Sequence, residues 1–289
     1  MKLPPVVEVT VPGLVAPIGG DKLVVIAGPC TLESLELGLE VAGHLKAVCN
    51  RLGLPYIFKA SFDKANRTSG RSGRGPGLEV GLGWLGEIRA RLQVPVLTDV
   101  HETWQVQPAA AVADVLQIPA FLCRQTDLLR EAGRSKKVVN IKKGQFLAPD
   151  DVLYAIQKVT DTGNWAVFVT ERGTSFGYHD LVVDYRGLVV MRCFGHPVVF
   201  DATHSVQQPG GAGGASGGQR RFIGALARAA VAAGCDGLFI ETHPNPMAAV
   251  SDGPNMVPLA QVEPLLEQCV ALRAALAEAA DIPFENEER

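Results

Sequence analysis

The sequence predicts an α/β fold, a (β/α)8 TIM barrel with an N-terminal β-hairpin, from three observations. Eight apolar runs rich in β-branched residues recur along the 289 residues, helix-like segments separate them, and most runs end in chemically reactive side chains. Buried parallel strands have this composition, and polar residues at their last positions indicate a site. In a (β/α)8 barrel the carboxyl ends of all strands meet on one rim, where the active site lies. The pattern therefore predicts an enzyme before any motif is considered.

Each predicted strand leads into residues that bind or react. The first three are LVVIAG (23–28) before Cys30, YIFKAS (56–61) with Lys59 and then Lys64, and VPVLTDV (94–100) with Asp99. The next three are VLQIPA (115–120) before Arg124 and Gln125, VVNIKK (138–143) with Lys142, and AVFVTERG (166–173) with Arg172. The last two, VVFDATH (198–204) and GLFIETH (237–243), each finish with a carboxylate and a histidine.

Helices are predicted between the strands, and a hairpin is predicted before the first of them. Residues 6–22, with Pro12-Gly13 and Gly19-Gly20, read as a β-hairpin that closes the N-terminal end of the barrel. Gly234 suits the C-terminal cap of its helix, and Pro149 suits the start of another. The predicted helices cover about 34–52, 78–92, 103–113, 126–133, 149–161, 219–234 and 259–279. We expect one catalytic domain over 1–289, with a flexible acidic tail at 280–289.

Two long loops interrupt the alternation of predicted strands and helices. Residues 62–77 are basic and glycine-rich, and residues 207–218 are almost entirely glycine, alanine and serine. Flexible connectors have such compositions, but both loops leave carboxyl ends of strands, where lids and phosphate-binding loops occur. The second loop lacks G-K-[ST], and no G-x-G-x-x-G follows a strand at a Rossmann position, so a nucleotide-binding loop is not indicated.

Composition excludes several functional classes. A net charge of −3 does not indicate a nucleic-acid partner, and no apolar stretch is long enough for a membrane span. The N-terminus lacks the pattern of a secretory signal. Six cysteines without a C-x-x-C pair suit buried thiols in a reducing compartment rather than a disulfide framework. We therefore expect a cytoplasmic protein.

Cations are concentrated at the strand ends of this slightly acidic chain. They come from several different strands, so their enrichment indicates an anionic substrate, and phosphate or carboxylate groups are the anions that Arg and Lys bind best. Solvated rim charges are the alternative for any one of them. The set comprises Lys59, Lys64, Arg67, Arg124, Lys142, Lys143 and Arg172.

A thiol, an imidazole and two carboxylates fall on neighbouring strand ends. Cys30, His204, Glu241 and Asp252 belong to the first, seventh and eighth strands and the loop after the eighth. This donor set suits a divalent transition metal rather than Mg²⁺ alone. No short ligand spacing supports it, however, and the residues alone leave open a buried cysteine, a hydrogen-bonding histidine and two structural carboxylates.

At these positions the chain resembles the 3-deoxy-D-manno-octulosonate-8-phosphate synthase family. The matching segments run from about residue 20 to 275 and comprise AGPCTLES, FKASFDKANRTS, RGPGLE, TDVHE, LQIPAFLCRQTDLL, NIKKGQF, ERGTSFGY, FDATHSVQ, GASGG, FIETHPNP and SDGPN. KASFDKANR is the most specific of them, since the related heptulosonate-phosphate synthases carry a K-P-R-T-S-P-like stretch there. Sialic acid synthases usually carry a further C-terminal domain.

The resemblance implies condensation of phosphoenolpyruvate with D-arabinose 5-phosphate, in lipopolysaccharide precursor synthesis. It implies that Lys142 and Arg172 hold the phosphoenolpyruvate phosphate with Arg124 and Gln125 nearby, that Lys59 and Lys64 hold its carboxylate, and that Phe176 also contacts substrate. It assigns the sugar phosphate to Asn66, Arg67 and Thr68, with part of the site from a neighbouring subunit of a homotetramer. Thr68 stands where serine is common.

The family has metal-dependent and metal-independent classes, with cysteine or asparagine at the position of Cys30. The cysteine, together with SDGPN, implies the metal class, with Mn²⁺, Fe²⁺, Zn²⁺ or Co²⁺ bound by Cys30, His204, Glu241 and Asp252. Lys64, Asp99 and His204 are the expected catalytic residues, Lys64 as proton donor and Asp99 ordering water or lysines. A 3-deoxy-arabino-heptulosonate-7-phosphate synthase using erythrose 4-phosphate, or a non-catalytic phosphate- or metal-binding barrel, are the alternatives.

Overall fold

The computed structural model describes residues 3–65, 73–211 and 217–279, and these residues form a closed parallel barrel. Its strands are β1 (Val24–Gly28), β2 (Tyr56–Lys59), β3 (Val96–Asp99), β4 (Val115–Ile118), β5 (Val138–Lys142), β6 (Val167–Glu171), β7 (Val198–Asp201) and β8 (Gly237–His243). They pair in chain order, and β1 also pairs with β8, which closes the barrel. The (β/α)8 prediction is confirmed.

Helices cover the outside of the barrel. They are α1 (Leu35–Leu52), α2 (Leu78–Leu92), α3 (Thr103–Val112), α4 (Thr126–Arg134), α5 (Val152–Thr160), α6 (Arg186–Arg192), α7 (Ile223–Ala233) and α8 (Val262–Glu278). Ser34 caps α1 by accepting a hydrogen bond from the Leu37 amide at 3.1 Å. Gly234 ends α7 with a φ of 94°, the left-handed cap expected from the sequence.

Helix α6 was not among the predicted helices. It has only seven residues, and β-branched Val189 and Val190 lie at its centre. A segment this short cannot show two turns of apolar periodicity, so local pattern does not distinguish it from a loop. Packing on the barrel buries Leu188 and Met191 and fixes the helix.

Side chains of each strand alternate between two apolar layers. Val25 and Ala27 face the helices, while Val24 and Ile26 belong to the cluster inside the barrel. Because both faces are buried, the strands read as continuous apolar runs rather than alternating ones. The burial of every residue of β1 is the direct result.

The N-terminal segment contributes to the interior layer. Val9 and Ile18 exchange two backbone hydrogen bonds of 2.9 Å in an antiparallel bridge within the predicted hairpin 6–22. Val9, Val11 and Ile18 pack in the same cluster as the inward residues of the strands. The hairpin therefore adds three apolar side chains to the interior layer of the barrel.

Register places the ends of β1 and β8 side by side. Gly28 pairs with Glu241 across the seam, and a Cβ at Gly28 would lie 2.0 Å from the Lys59 carbonyl oxygen. Only glycine permits this close approach, so β1 can pass β2 while Cys30 follows at the rim. Within the described residues no helix has the length and apolar character needed to cross a membrane.

Candidate active site

Three of the four predicted metal ligands lie together at the carboxyl rim. One donor atom from each of Cys30, Glu241 and Asp252 lies within 4.8 Å of the other two. The Cys30 Sγ is 3.0 Å from Asp252 Oδ2 and 3.1 Å from Ser251 Oγ. The Ser251 hydroxyl donates to the same Asp252 oxygen at 2.7 Å. Residues separated by more than 200 positions are thus joined by barrel closure.

Electrostatics of this group suit a bound cation. Burial, with the charges of Glu241 and Asp252, raises the pKa of the Cys30 thiol far above its usual range. Burial alone would also raise the pKa of Glu241, but His204, Lys59 and Lys64 lower it to about 2. The group therefore holds a neutral thiol beside ionised carboxylates, and a divalent cation there would favour the thiolate. One sulfur and two carboxylates fit a divalent transition ion by their chemistry.

His204 lies beside this group, on the other side of Glu241. Its Nε2 is 3.5 Å from Glu241 Oε2, and its Nδ1 is 2.7 Å from Asp201 Oδ2. A carboxylate on Nδ1 favours the tautomer with the proton there and leaves the Nε2 lone pair available. Among the described residues His204 is not part of the group of three within 4.8 Å.

Two lysines connect the carboxylate group with the rest of the rim. Lys59 Nζ lies 2.7 Å from Glu241 Oε1, and the two side chains are 2% and 1% exposed. Lys64 Nζ lies 3.9 Å from the same oxygen and 4.0 Å from Asp99 Oδ2. Burial opposes the charge of Lys64, but the anions around it raise its pKa. Lys64 therefore remains an ammonium in this site.

Two further cations are buried at the ends of β5 and β6. Lys142 is the last residue of β5, and Arg172 follows the last residue of β6. Lys142 Nζ donates to Asp201 and lies 3.8 Å from the centroid of the Phe239 ring, over its face. Arg172 donates to the His204 carbonyl oxygen at 3.2 Å and to Gln207 Oε1 at 2.8 Å. Burial lowers the pKa of both groups. Cations removed from water in this way bind a dehydrated anion favourably.

Asp99 is held by a chain of hydrogen bonds across four strands. Thr170 Oγ1 donates to Asn140 at 2.8 Å, Asn140 Nδ2 donates to Gln117 Oε1 at 2.8 Å, and Gln117 Nε2 donates to Asp99. Ser61 donates to the other carboxylate oxygen. Burial alone would raise the pKa of Asp99, but Lys59 and Lys64 lower it. Every donor points toward the carboxylate, so Asp99 is an oriented anion.

The remaining predicted residues divide into two groups. Arg124 and Gln125 follow β4 on the rim with exposed side chains, and Phe176 is 70% exposed beyond β6. The structure does not bring these three into the buried cluster. Asn66, Arg67 and Thr68 lie outside the described residues, as do the central part of loop 207–218, residues 212–216, and the tail 280–289.

The sequence did not identify as site residues the four that form the hydrogen-bond chain to Asp99, nor Asp201, Gln207 and Ser251. Asp201 is a polar strand end three residues before His204, and that spacing was a usable signal. Gln207 and Ser251 lie in segments without a periodic pattern, so only the fold brings Gln207 to Arg172 and Asp252 and brings Ser251 to Cys30.

Comparison with known proteins finds strong similarity along nearly the whole chain. A family model described as the DAHP synthetase I family matches residues 11–278. A relative from Desulfotalea psychrophila, named 2-dehydro-3-deoxyphosphooctonate aldolase, is 59% identical over 259 residues, which are 90% of this chain and 92% of the relative. Relatives of the same name from Desulfosudis oleivorans and Bordetella pertussis are 56% and 60% identical. They cover 91% and 86% of this chain, and 94% and 89% of their own lengths.

Proposed function

The chain belongs to the DAHP synthetase I family, and we propose that it condenses phosphoenolpyruvate with D-arabinose 5-phosphate and water. The products are 3-deoxy-D-manno-octulosonate 8-phosphate and inorganic phosphate, in lipopolysaccharide precursor synthesis. The names of relatives about 60% identical to it support this substrate pair. One structural observation carries the proposal: buried Lys59, Lys142 and Arg172 face a thiol and carboxylates on one rim. Such a cleft suits an anionic substrate beside a cation.

The phosphate of phosphoenolpyruvate is assigned to Lys142 and Arg172. Neutral oxygens, those of the His204 carbonyl and Gln207 amide, orient Arg172, and no carboxylate of the described residues lies within salt-bridge distance of it. Its charge is therefore available for bidentate contact with a phosphate. Lys59 and Lys64 then hold the carboxylate and the reacting centre. The family resemblance adds Arg124, Gln125 and Phe176 as substrate contacts outside the buried cluster, and it assigns the sugar phosphate to Asn66, Arg67 and Thr68.

Condensation forms one carbon–carbon bond and breaks one carbon–oxygen bond. The electrons of the phosphoenolpyruvate double bond attack the sugar aldehyde through C3, and the aldehyde oxygen takes a proton from Lys64. Water then forms a carbon–oxygen bond at C2 and loses one proton, which restores the Lys64 ammonium. The hemiketal phosphate collapses to the ketone by breaking the bond from C2 to the phosphate oxygen, and the departing inorganic phosphate takes the hydroxyl proton. Asp99, fixed by Gln117 and Ser61, orients the water or the lysines. Holding both substrates in one cleft removes most of the entropic cost of their encounter.

A divalent cation fits the site in this proposal. Cys30, Glu241 and Asp252 would hold it, with His204 Nε2 as the fourth donor once Asp201 has fixed the proton on Nδ1. When bound, such an ion supplies Lewis acidity toward a carbonyl oxygen and a template for its orientation. Mn²⁺, Fe²⁺, Zn²⁺ and Co²⁺ all suit this donor set. A homotetramer and a cytoplasmic location stay predictions.

A panel of sugar phosphates tests the reaction. We expect phosphate release from phosphoenolpyruvate with arabinose 5-phosphate and much less with erythrose 4-phosphate. Preference for erythrose 4-phosphate would instead assign the heptulosonate activity that the family model's description names. No release with any aldose phosphate would leave a non-catalytic phosphate- or metal-binding barrel.

A further inference from the structure

Gln207 bridges the two halves of the site through its side-chain amide. Its Oε1 accepts from Arg172 Nη2 at 2.8 Å, and its Nε2 donates to Asp252 Oδ1 at 2.9 Å. A neutral amide carries both an acceptor and a donor, so it can satisfy a cation and an anion at once. We propose that Gln207 is a positioning residue that couples the anion site at Arg172 to the metal site at Asp252. This inference rests on the proposed function.

The bond from Gln207 determines which oxygen of Asp252 faces Cys30. Oδ1 is occupied by Gln207, whereas Oδ2 lies 3.0 Å from the Cys30 sulfur and 2.7 Å from Ser251 Oγ. Asp252 also has a φ of 53°, a left-handed conformation that costs free energy for a residue other than glycine. Bonds to its side chain therefore help hold both the backbone and the carboxylate in this orientation.

The backbone of Gln207 is fixed at the base of the glycine-rich loop. Gln207 pairs with Gly218 in a short antiparallel ladder, and the Gln219 amide donates to the Val206 carbonyl at 2.9 Å. Because the main chain is held here, the amide moves mainly by side-chain rotation, and that rotation changes its positions relative to both Arg172 and Asp252. A single side chain therefore transmits a displacement of one group to the other.

The loop base also contacts the Asp252 loop at two other points. A Cβ at Gly218 would lie 1.3 Å from Asn255 Oδ1, so the backbone of the loop packs directly on that amide. Arg220 Nη2 donates to the Gly253 carbonyl oxygen at 2.5 Å. The two loops are thus joined at two points besides the Gln207 bridge, which makes the bridge part of a larger contact.

Gln207→Met tests the coupling, because methionine matches the length of the chain and removes both hydrogen bonds. Mn²⁺ binding to the metal-free protein is measured by electron paramagnetic resonance, and phosphoenolpyruvate binding to the Mn²⁺-loaded protein by calorimetry. We expect Mn²⁺ affinity to fall about tenfold, as for loss of other groups that orient a metal ligand. We expect phosphoenolpyruvate affinity to fall about fivefold to tenfold. The absorption spectrum of the Co²⁺ form should shift, which a general loss of stability would not cause.

Gln208→Met is the matched control, since Gln208 is the next residue of the same strand and makes no hydrogen bond to Arg172 or Asp252. It should keep both affinities, and thermal unfolding should show all three proteins folded. Equal affinities in the two variants, or loss of one affinity alone, would overturn the coupling. Both readouts are binding measurements, so failure of the parent with arabinose 5-phosphate affects only the proposed function. A parent that binds neither Mn²⁺ nor phosphoenolpyruvate would overturn both.

Discussion

Lys59 and Glu241 form a buried salt bridge, with 2.7 Å between Nζ and Oε1, at the seam where the barrel closes. Lys59 is a predicted ligand of the substrate carboxylate, and Glu241 is a predicted ligand of the metal. The proposed anion site and the proposed metal site would therefore share charges rather than lie side by side as independent sites. Loss of either partner leaves the other buried without its nearest opposite charge, which is more costly than loss of both.

A double-mutant cycle measures this dependence. We expect Lys59→Met and Glu241→Met each to lower the free energy of unfolding by about 3–5 kcal/mol, and the double variant to lose less than the sum by about 1–3 kcal/mol. Urea denaturation in the presence of a chelator gives the values. Additive losses would show that the two charges are stabilised separately.

Arg172→Lys tests the phosphate assignment. Lysine keeps the charge but cannot contact His204 O, Gln207 and a phosphate together, so we expect the KM for phosphoenolpyruvate to rise about tenfold or more. Arg186→Lys is the control, because Arg186 pairs with Asp184 on the surface at 2.7 Å. An unchanged KM for Arg172→Lys in steady-state assays would show that Arg172 does not bind the phosphate of phosphoenolpyruvate.

Thr170 is expected to affect catalysis without contacting Asp99, because it is connected to Asp99 only through Asn140 and Gln117. Thr170→Val removes the hydroxyl that orients Asn140, so we expect kcat to fall about tenfold through disorder of Gln117 and Asp99. Thr170→Ser keeps the hydroxyl and should retain kcat within about twofold. If valine and serine variants give the same kcat, the chain has no part in positioning Asp99.

His196 lies far from the site, and its titration is expected to make the stability of the fold depend on pH. Burial lowers the pKa of its imidazole below 6.5, although a hydrogen bond with the Val167 carbonyl opposes the shift. Below about pH 6.5 the unfolded chain therefore binds more protons than the folded one, so stability falls as the pH falls. Neutral His196 therefore makes its full contribution to the free energy of unfolding above about pH 6.5. That contribution is lost as the pH falls from about 6.5 to the lower pKa of the folded state.

His196→Gln should flatten this dependence between pH 7 and 5, since glutamine can still donate to Val167 but does not titrate. Urea denaturation at several pH values measures it, with the exposed His44→Gln as the control. Parallel profiles for the parent and His196→Gln would contradict the assignment.

Much of the fold was predictable because strand composition and chain order determine a barrel. Apolar runs gave all eight strands, and closure then required that Cys30 and Glu241 be neighbours. Cysteine, aspartate and lysine at strand ends thus indicated where the candidate site lies without any local motif. Helix α6 was not predictable, since seven residues carry too short a pattern.

The finer geometry of the site depends on contacts that no spacing encodes. Gln207 meets Asp252 only because two loops after different strands pack together, and Ser251 meets Cys30 only because the barrel closes. Likewise, the direction of the Thr170, Asn140 and Gln117 bonds follows from which amide atom each neighbour offers. Such side chains look like ordinary polar residues in the sequence.

The decisive measurement is phosphate release from phosphoenolpyruvate and arabinose 5-phosphate, before and after EDTA and with Mn²⁺ returned. We expect activity that is lost with chelator and restored by the metal, with much weaker Mn²⁺ binding in Cys30→Ser. Activity indifferent to chelator would keep the reaction and contradict the metal site. No release with arabinose 5-phosphate would contradict the reaction itself.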